Sequence, residues 1–239
     1  MRIKFIIRIL LTLLLPVIAG AQELTIVSED NPPFNFVKHG KPTGSSMEIV
    51  REMLRRMNRT DPIQILTWAR GYDLALTQPN VVLFSTARTN QRENLFHWVG
   101  PLYRVRFSFY ARKKAGLSLN TLEDAKKVGA IATYKNDVRE QLLKSLGFTN
   151  LDSSKSPASN LKKLMSGRVD LWLFSNLGVE RVAKQIGVDP AELELVLPFK
   201  DYYAYIAISK GTSRAVVNQW RDVFDEMKQE GTFQKISSQ

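Results

Sequence analysis

The chain contains the stretch Phe84-Ser-Thr-Ala-Arg88-Thr-Asn-Gln-Arg92-Glu93, which continues as Phe96-His-Trp98-Val-Gly-Pro101-Leu-Tyr103. This stretch combines, in order, a strand, a turn and a guanidinium group. A strand that ends in small hydroxylic residues exposes backbone N–H groups, and the arginine that follows supplies a planar fork for a carboxylate. The stretch therefore predicts capture of an anionic ligand, with Arg92 as the main contact.

The first 21 residues have the layout of a secretory signal peptide. Residues 1–8 carry three basic side chains and no acid, residues 9–19 are apolar apart from Thr12 and Pro16, and residues 19–21 are small. The apolar run is too short for a stable membrane anchor, which is the alternative interpretation. The sequence has no cysteine, which excludes a lipid-modified cysteine, disulfides and thiol chemistry. We expect a soluble protein in a Gram-negative periplasm.

The chain stays basic after the leader is removed. It keeps 31 of the 34 Lys and Arg residues and all 23 Asp and Glu residues, a formal net charge of +8. Such an excess attracts anionic ligands, a membrane surface or nucleic acid, or it belongs to a solvated surface. Nucleic acid is not expected, because no basic run is interleaved with stacking aromatics. The remaining length, roughly 200 residues, suffices for one large domain or two small lobes.

Apolar patterns alternate between strands and helices, which is typical of an α/β protein with largely parallel sheets. Strands are predicted at residues 24–28, 63–67, 81–84, 129–133, 169–174, 193–197 and 202–209, with a long strand around 105–109. The first helix has apolar residues at helical intervals, namely Met47, Val50, Leu54 and Met57. Later helices are predicted at 138–146, 160–165 and 177–186, and a last one carries Trp220.

Two patterns predict helix caps. Ser45 and Glu48 have the spacing of a capping box ahead of the first helix. Asn90 with Glu93 is expected to cap a helical turn, whose free N–H groups would point towards the ligand of Arg92.

Five local patterns occur in a fixed order along the chain. They are Pro33-Phe-Asn-Phe36 with Gly40-Lys41 and Gly44, then Arg88-Thr-Asn-Gln-Arg92, Leu122-Glu-Asp124, Gly167-Arg-Val-Asp170 and Ala207-Ile-Ser-Lys-Gly-Thr212. Together they resemble family 3 extracellular solute-binding proteins, of the type that serves amino-acid ABC transporters. The resemblance covers nearly all of the chain that follows the predicted leader.

The resemblance implies a bilobal periplasmic-binding-protein-like fold of type II, in which two α/β lobes are joined by two crossing strands. With a signal peptide at 1–21, lobe 1 is expected at 22–105 and 204–239, and lobe 2 at 106–203. The resemblance also implies a ligand held between lobes that close by a hinge motion.

Departures from the family pattern bear on the ligand. Amino-acid-binding members commonly have an aromatic ring near the opening loop and an acid in lobe 2 that takes the ligand's ammonium group. Asn31 and Ser45 stand at the aromatic places here, and Ser175 stands at the acidic place. The ammonium group of an ordinary amino acid therefore loses its partner. The family's roles are carried over to Arg92, as the carboxylate clamp, and to Thr89.

The segment Trp68-Ala-Arg70-Gly-Tyr72 directly follows a predicted strand, and residues just past the carboxyl ends of strands line the crevice of an open α/β sheet. Trp68 would then form an aromatic wall. Arg70 and Arg88 would add positive charge that favours an acidic solute, such as a dicarboxylate. The alternative is that Trp68 packs in the core and both arginines pair with surface acids.

These arguments give one set of candidate ligand-binding residues. The set comprises Arg92, Thr89, Arg88, Ser85, Trp68, Arg70, Phe34, Asn176 and Thr133. No cofactor is expected. No metal site is expected either, because the two histidines, His39 and His97, have no companions at ligand spacing.

The expected function is capture of a small anionic or carboxylate-bearing solute, amino-acid-like or another polar compound, in the periplasm. The protein would act as a monomer that serves an ABC permease or a sensor protein in the inner membrane. One alternative on the same fold is a dehydratase of the cyclohexadienyl type, which needs a positioned acid or base such as Glu29, Asp30 or Glu48. A ligand-sensing module is the other alternative. A non-enzymatic role is favoured.

Overall fold

The computed structural model describes residues 23–238, so the predicted signal peptide lies outside the described residues. Within this range, ten strands run at Thr25–Glu29 (β1), Phe36–Lys38 (β2), Lys41–Thr43 (β3), Ile63–Leu66 (β4), Val81–Ala87 (β5), Phe96–Arg112 (β6), Ile131–Tyr134 (β7), Leu151–Ser154 (β8), Leu171–Ser175 (β9) and Leu193–Ser209 (β10). Eight helices run at Ser45–Arg56 (α1), Trp68–Thr77 (α2), Leu122–Lys126 (α3), Val138–Ser145 (α4), Pro157–Met165 (α5), Val179–Gln185 (α6), Arg214–Gln229 (α7) and Thr232–Ser237 (α8).

Eight of the strands form one continuous sheet in the order β4-β1-β5-β10-β6-β9-β7-β8, and β2 pairs with β3 as a separate hairpin. The pairs β1/β4, β1/β5, β7/β8 and β7/β9 are parallel, as the alternating pattern predicts. We call the part built on β4, β1 and β5 with α1, α2, α7 and α8 lobe 1. The part built on β9, β7 and β8 with α3 to α6 is lobe 2.

The lobes are joined by β6 and β10, which are antiparallel and 17 residues long each. The sequence predicts two separate strands at 193–197 and 202–209, whereas the structure has one strand across both. Pro198 interrupts the apolar pattern, but it falls at a register shift of the ladder, where a residue without an N–H group is tolerated. The predicted lobe boundaries, at 105/106 and 203/204, fall inside these two strands and stay a prediction.

Each lobe has its own apolar core. In lobe 1 one face of α1 packs against α7, and the apolar residues predicted at helical intervals in α1 are buried together with Trp220 and Phe224. In lobe 2 the core gathers around Phe109, Leu143 and Leu173. Truncation of a large core side chain such as Trp220 to alanine typically costs about 3–5 kcal/mol.

The predicted caps at Ser45 and at Asn90 are both wrong. In each case other groups bond to the backbone N–H groups or to the acid that the cap would use. The residue before α1 is Gly44, with φ at 119°, and an added Cβ there would lie 2.3 Å from the Phe34 carbonyl oxygen. That carbonyl accepts from the N–H groups of Ser46 and Met47, while the Glu48 carboxylate pairs with an arginine of its own helix.

The segment after β5 forms a short 3-10 turn at Glu93–Leu95 with no side-chain cap. Its acid pairs with Arg88 instead. None of the helices between residues 23 and 238 is long and apolar enough to cross a membrane.

Candidate functional site

A cavity of about 30 Å³ lies between the two lobes. Lobe 1 contributes Glu29, Asn31, Phe34, Trp68, Ser85 and Arg92 to its lining, and lobe 2 contributes Asp137, Val138, Arg139 and Ser175. This volume has room for roughly one or two water molecules. A solute therefore enters only when the lobes part or the lining side chains move.

The guanidinium of Arg92 is the best-buried positive charge of this lining, with 1% of the residue exposed. Its Nη2 donates to Oε1 of Gln141 on α4 over 2.9 Å, and its Nη1 lies 3.4 Å from the Ala87 carbonyl oxygen. The guanidinium carbon also lies 5.1 Å from the centre of the Trp68 ring and 4.8 Å from that of Tyr72. Arg92, a side chain of lobe 1, thus contacts lobe 2 and packs against two aromatic rings.

Thr89 positions Arg92 through the backbone. Its Oγ1 accepts from the Arg92 N–H over 3.3 Å, and its carbonyl oxygen accepts from the same N–H over 3.0 Å. Burial lowers the pKa of the Arg92 guanidinium, yet an arginine stays charged in proteins. Among residues 23–238, no group accepts a hydrogen bond from Arg92 Nε.

Glu29, the last residue of β1, faces the same cavity and is 7% exposed. Burial raises the pKa of its carboxyl to about 8, and the charge of Asp137 adds to this effect. Arg139 and a hydrogen bond with the Tyr134 hydroxyl oppose it. At neutral pH the Glu29 carboxyl is therefore mostly protonated, and its Oε2 has no hydrogen-bond partner in the described part of the chain.

Asp137 and Arg139 form a buried ion pair at the start of α4. Asp137 is the N-cap of this helix, and its Oδ1 accepts from the Arg139 N–H over 3.0 Å as well as from the guanidinium. The Arg139 guanidinium carbon lies 5.0–5.7 Å from three ring centres, those of Phe174, Phe107 and Tyr134. Lobe 2 thus brings a second guanidinium to the cavity, already paired with an acid.

An aromatic stack covers another wall of the cavity. The rings of Phe34 and Tyr103 are parallel within 3°, with centres 3.4 Å apart. The Tyr103 hydroxyl accepts from Asn31 Nδ2 over 3.3 Å, and Ser85 Oγ donates to Asn35 Oδ1 over 2.5 Å. The wall is therefore apolar across its face and hydrogen-bonded at its edge.

Four of the predicted ligand-binding residues line the cavity, namely Arg92, Ser85, Trp68 and Phe34. Trp68 begins α2 directly after β4, a helix that the sequence pattern does not predict. It is buried, and its indole N–H donates to the Asn136 carbonyl oxygen of lobe 2 over 2.9 Å. Trp68 thus joins a core cluster and also forms part of the cavity wall.

The two further arginines expected near the ligand lie outside the lining of this cavity. The Arg70 side chain is 61% exposed and lies 3.8 Å from Asp73 on the outer face of α2. Arg88 pairs with Glu93 over 2.5 Å and stacks against Tyr205. With Thr89 it lines a separate, open pocket of about 370 Å³. For both arginines the structure has the alternative arrangement, in which they pair with surface acids.

Thr133 and Asn176 also lie outside the lining of the cavity. Thr133 is buried in β7, where its Oγ1 bonds to Ser153 Oγ over 2.9 Å. Asn176 is exposed and forms two hydrogen bonds with the backbone of Arg106, over 2.9 and 3.0 Å. Each side chain is thus engaged by its own sheet.

Sequence reasoning named Glu29 only as a candidate acid or base of the alternative dehydratase and left it out of the ligand-binding set, and it missed Arg139. Glu29 ends a strand, so the strand-end rule that selects Trp68 selects it too. Arg139 follows β7 by a few residues, but nothing local indicates that its guanidinium turns inward to Asp137. No three His, Cys, Asp or Glu side chains within residues 23–238 are grouped so that they could hold a metal ion.

Solved structures with the same architecture are similar to this chain over most of its length. A histidine kinase sensor domain with similarity to periplasmic binding proteins superposes with a TM-score of 0.82 at 18% identity, covering 91% of this chain and 95% of that chain. An ancestral arginine-binding protein bound to arginine gives 0.78 at 20% identity, covering 90% and 96%. An amino acid ABC transporter substrate-binding protein from Streptococcus pneumoniae, bound to L-arginine, gives 0.74 at 19% identity, covering 90% and 93%.

Identities this low show a shared fold, and the predicted bilobal periplasmic-binding-protein-like fold is confirmed. The comparison with curated proteins finds no significant match. The family profile of bacterial extracellular solute-binding proteins, family 3, matches residues 24–239. Because this match spans nearly the whole chain, the protein belongs to the bacterial extracellular solute-binding proteins, family 3.

Proposed function

We propose that this protein captures a small solute that carries a carboxylate, by closing its two lobes around it. One observation carries the proposal. The Arg92 guanidinium lines the interlobe cavity at 1% exposure, and the groups that bond to it within residues 23–238 are neutral, namely the Ala87 carbonyl, the Gln141 amide and the Tyr72 hydroxyl. A buried charge without a counter-ion costs several kcal/mol, which an incoming carboxylate offsets.

The charges of the cavity support a solute with a single carboxylate. Asp137 and Arg139 neutralise each other, and the Glu29 carboxyl is mostly protonated at neutral pH because its pKa is about 8. The formal charge that remains is that of Arg92. A single carboxylate neutralises it, and the resulting charge-assisted hydrogen bonds are worth about 1.5–3 kcal/mol.

The relatives with this fold support an amino-acid-like or other polar solute. Two of the solved structures are bound to arginine, and every amino acid carries the carboxylate that the Arg92 site requires. In lobe 2 the Asp137 carboxylate of the lining is already paired with Arg139, so it does not receive a basic side chain of the solute. We therefore propose a ligand with a carboxylate and without a basic side chain.

In this proposal the protein works as a monomer in the periplasm, after removal of residues 1–21. It passes its solute to an ABC permease or reports it to a sensor protein in the inner membrane. The sensor role is supported by the histidine kinase sensor domain with the same fold. The hinge lies at 105/106 and 203/204, where β6 and β10 cross between the lobes.

The test is differential scanning fluorimetry of the mature protein with a panel of carboxylates. The panel holds the standard L-amino acids, their des-amino carboxylic acids and short dicarboxylates. A ligand at about 100 times its Kd stabilises the fold by about 2.7 kcal/mol, which raises Tm by roughly 5–10 °C for a chain of this size.

Arg92→Ala should lose this rise, because the ligand's carboxylate then has no partner. Arg88→Ala is the matched control, since it removes a surface arginine four residues away, and it should keep the full rise. Equal rises in wild type and Arg92→Ala would overturn the proposal.

A dehydratase of the cyclohexadienyl type is the second candidate, favoured by the Glu29 carboxyl. A protonated acid in a closed cavity with a pKa near the operating pH suits general acid catalysis. Incubation with prephenate or arogenate tests it by the appearance of an aromatic product. Turnover that is lost in Glu29→Gln favours the enzyme, whereas binding without product favours the solute-binding protein.

A further inference from the structure

Two polar side chains that face the interlobe cavity each keep one atom without a hydrogen bond in the described part of the chain. They are Glu29, through Oε2, and Arg92, through Nε. Both residues are more than nine-tenths buried, at 7% and 1% exposure. Buried polar atoms are nearly always hydrogen-bonded in folded proteins, so two such atoms on one small cavity indicate a partner that supplies the missing bonds.

The two atoms require opposite kinds of hydrogen-bond partner. Arg92 Nε is a donor and requires an acceptor, whereas the Glu29 carboxyl, once it loses its proton, requires a donor or a cation. Both residues stand on lobe 1, Glu29 at the end of β1 and Arg92 after β5, and these two strands are neighbours in the sheet. Because both residues line the same cavity, one small solute with both kinds of group would supply both missing partners.

We infer that Glu29 receives the ammonium group of a zwitterionic, amino-acid-like solute whose carboxylate is held by Arg92. This inference rests on the proposed function and narrows its substrate class to amino acids with an uncharged side chain. The position in lobe 2 where an acid was expected holds Ser175, so the carboxylate for the ammonium group comes from the opposite lobe.

The inference includes a proton that leaves when the solute binds. The ionisable groups that face the Glu29 carboxyl come from both lobes and from its own loop: Asp30, Arg92, Tyr103, Tyr134, Asp137 and Arg139. Burial, the largest of the effects on Glu29, raises its pKa to about 8. An ammonium group beside the carboxyl favours the ionised form, so the proton held at neutral pH is released to solvent.

Proton release gives the inference a measurable signature. Below pH 8 the ionised fraction of a free carboxyl with this pKa falls about tenfold per pH unit. Amino-acid affinity should therefore weaken by up to about tenfold for each pH unit between pH 7 and pH 5. The affinity for the des-amino acid, which lacks the cation, should not weaken in this way.

The experiment is isothermal titration calorimetry of the mature protein at pH 7, in phosphate and in Tris buffer. The probes are the L-amino acid that gives the largest thermal shift in the panel and its des-amino carboxylic acid. For the wild type, the difference in heat between the two buffers should correspond to about one proton released per bound amino acid. The des-amino acid should release none.

Glu29→Gln keeps the size of the side chain and a neutral group in the cavity, so it should fold, as its circular dichroism and Tm will show. It should bind the amino acid at least about tenfold more weakly, without proton release, and should bind the des-amino acid as the wild type does. Arg92→Ala should bind neither the amino acid nor the des-amino acid.

Three results overturn the inference. In the first, Glu29→Gln binds the amino acid as tightly as the wild type or the wild type releases no proton. In the second, only acids without an amino group bind, and the proposed function then stands while the inference fails. In the third, no carboxylate of the panel binds, and both fail together.

Discussion

Arg92 of lobe 1 donates a hydrogen bond from Nη2 to Oε1 of Gln141 of lobe 2, over 2.9 Å. The proposed function uses the same guanidinium to hold the ligand's carboxylate. Under this proposal one side chain joins the two lobes and binds the solute, so ligand binding is coupled to a contact between the lobes.

Gln141→Leu should shift the protein towards a conformation with separated lobes. The substitution removes a hydrogen bond to a charged group, worth about 1.5–3 kcal/mol, and leaves the Arg92 guanidinium with one acceptor fewer. Small-angle X-ray scattering without added ligand should give a larger radius of gyration, and ligand affinity should fall by roughly tenfold. Gln219→Ala, on the exposed face of α7, is the control and should change neither. A scattering profile identical to that of the wild type would contradict the coupling.

Glu29 should make the stability of the protein depend on pH. The pKa of its carboxyl is about 8 in the folded protein against a reference of 4.5, so the folded state keeps a proton that the unfolded chain loses between these values. Stability therefore falls as pH rises through this window.

Glu29→Gln does not titrate and should be more stable than the wild type by a margin that grows from pH 5 to pH 8. The shift sets an upper limit of about 5 kcal/mol, and we expect a growth on the order of 2–4 kcal/mol. Urea unfolding of both proteins at several pH values measures it. Stability curves that run parallel from pH 5 to pH 8 would show that the carboxyl is not buried as described.

Arg139→Met should be strongly destabilising, because it leaves the buried carboxylate of Asp137 without its partner. Removal of one member of a buried ion pair typically costs about 3–5 kcal/mol. The matched control is Arg106→Met, since Arg106 also pairs with an acid, Asp201, but its side chain is 51% exposed. Surface pairs contribute about 0–1 kcal/mol, so the control should unfold near the wild-type urea midpoint. Equal losses in both variants would contradict the burial of the Asp137 pair.

Arg181→Ala should speed release of the ligand. The Arg181 guanidinium of α6 lies 3.5 Å from the centre of the Phe36 ring, so it joins lobe 2 to the opening loop of lobe 1 at the rim of the cleft. Such a contact is worth about 0.5–2 kcal/mol, which corresponds to a rise in the dissociation rate of roughly 2- to 30-fold. Stopped-flow measurements give this rate. Lys184→Ala, one turn further along the same helix, should leave it unchanged, and a comparable rise in that control would assign the effect to surface charge.

The fold could be predicted from the sequence because its signals are local. The buried face of α1 follows from apolar spacing alone, and the strand before Arg92 follows from a short apolar run that ends in hydroxylic residues. The capping-box prediction at Ser45 is wrong because of a residue that lies outside the capping-box pattern. The Phe34 carbonyl oxygen takes the N–H groups at the start of α1, and only a folded loop brings it there.

The site could be predicted only in part, because the partners of its charged side chains depend on which residues the fold brings together. Arg88 and Arg92 are four residues apart in one stretch, yet the first pairs with Glu93 at the surface while the second is buried against Trp68. The spacing of apolar residues along the sequence does not show which of the two arginines is buried. Arg139 reaches the cavity from the other lobe, and its inward turn depends on Asp137 and on three aromatic rings that come from separate strands.

The two long strands between the lobes have a mechanical consequence. β6 and β10 form a hydrogen-bonded ribbon instead of two free linkers, and such a ribbon resists swivelling and sliding. Its ladder shifts register after Leu195, Pro198 and Ala204, and irregularities of this kind bend the strand that carries them. In the proposed closure, such a ribbon favours bending over free rotation of one lobe against the other. Under the proposed function, the separation of the lobe tips would then report occupancy of the cleft to an inner-membrane partner.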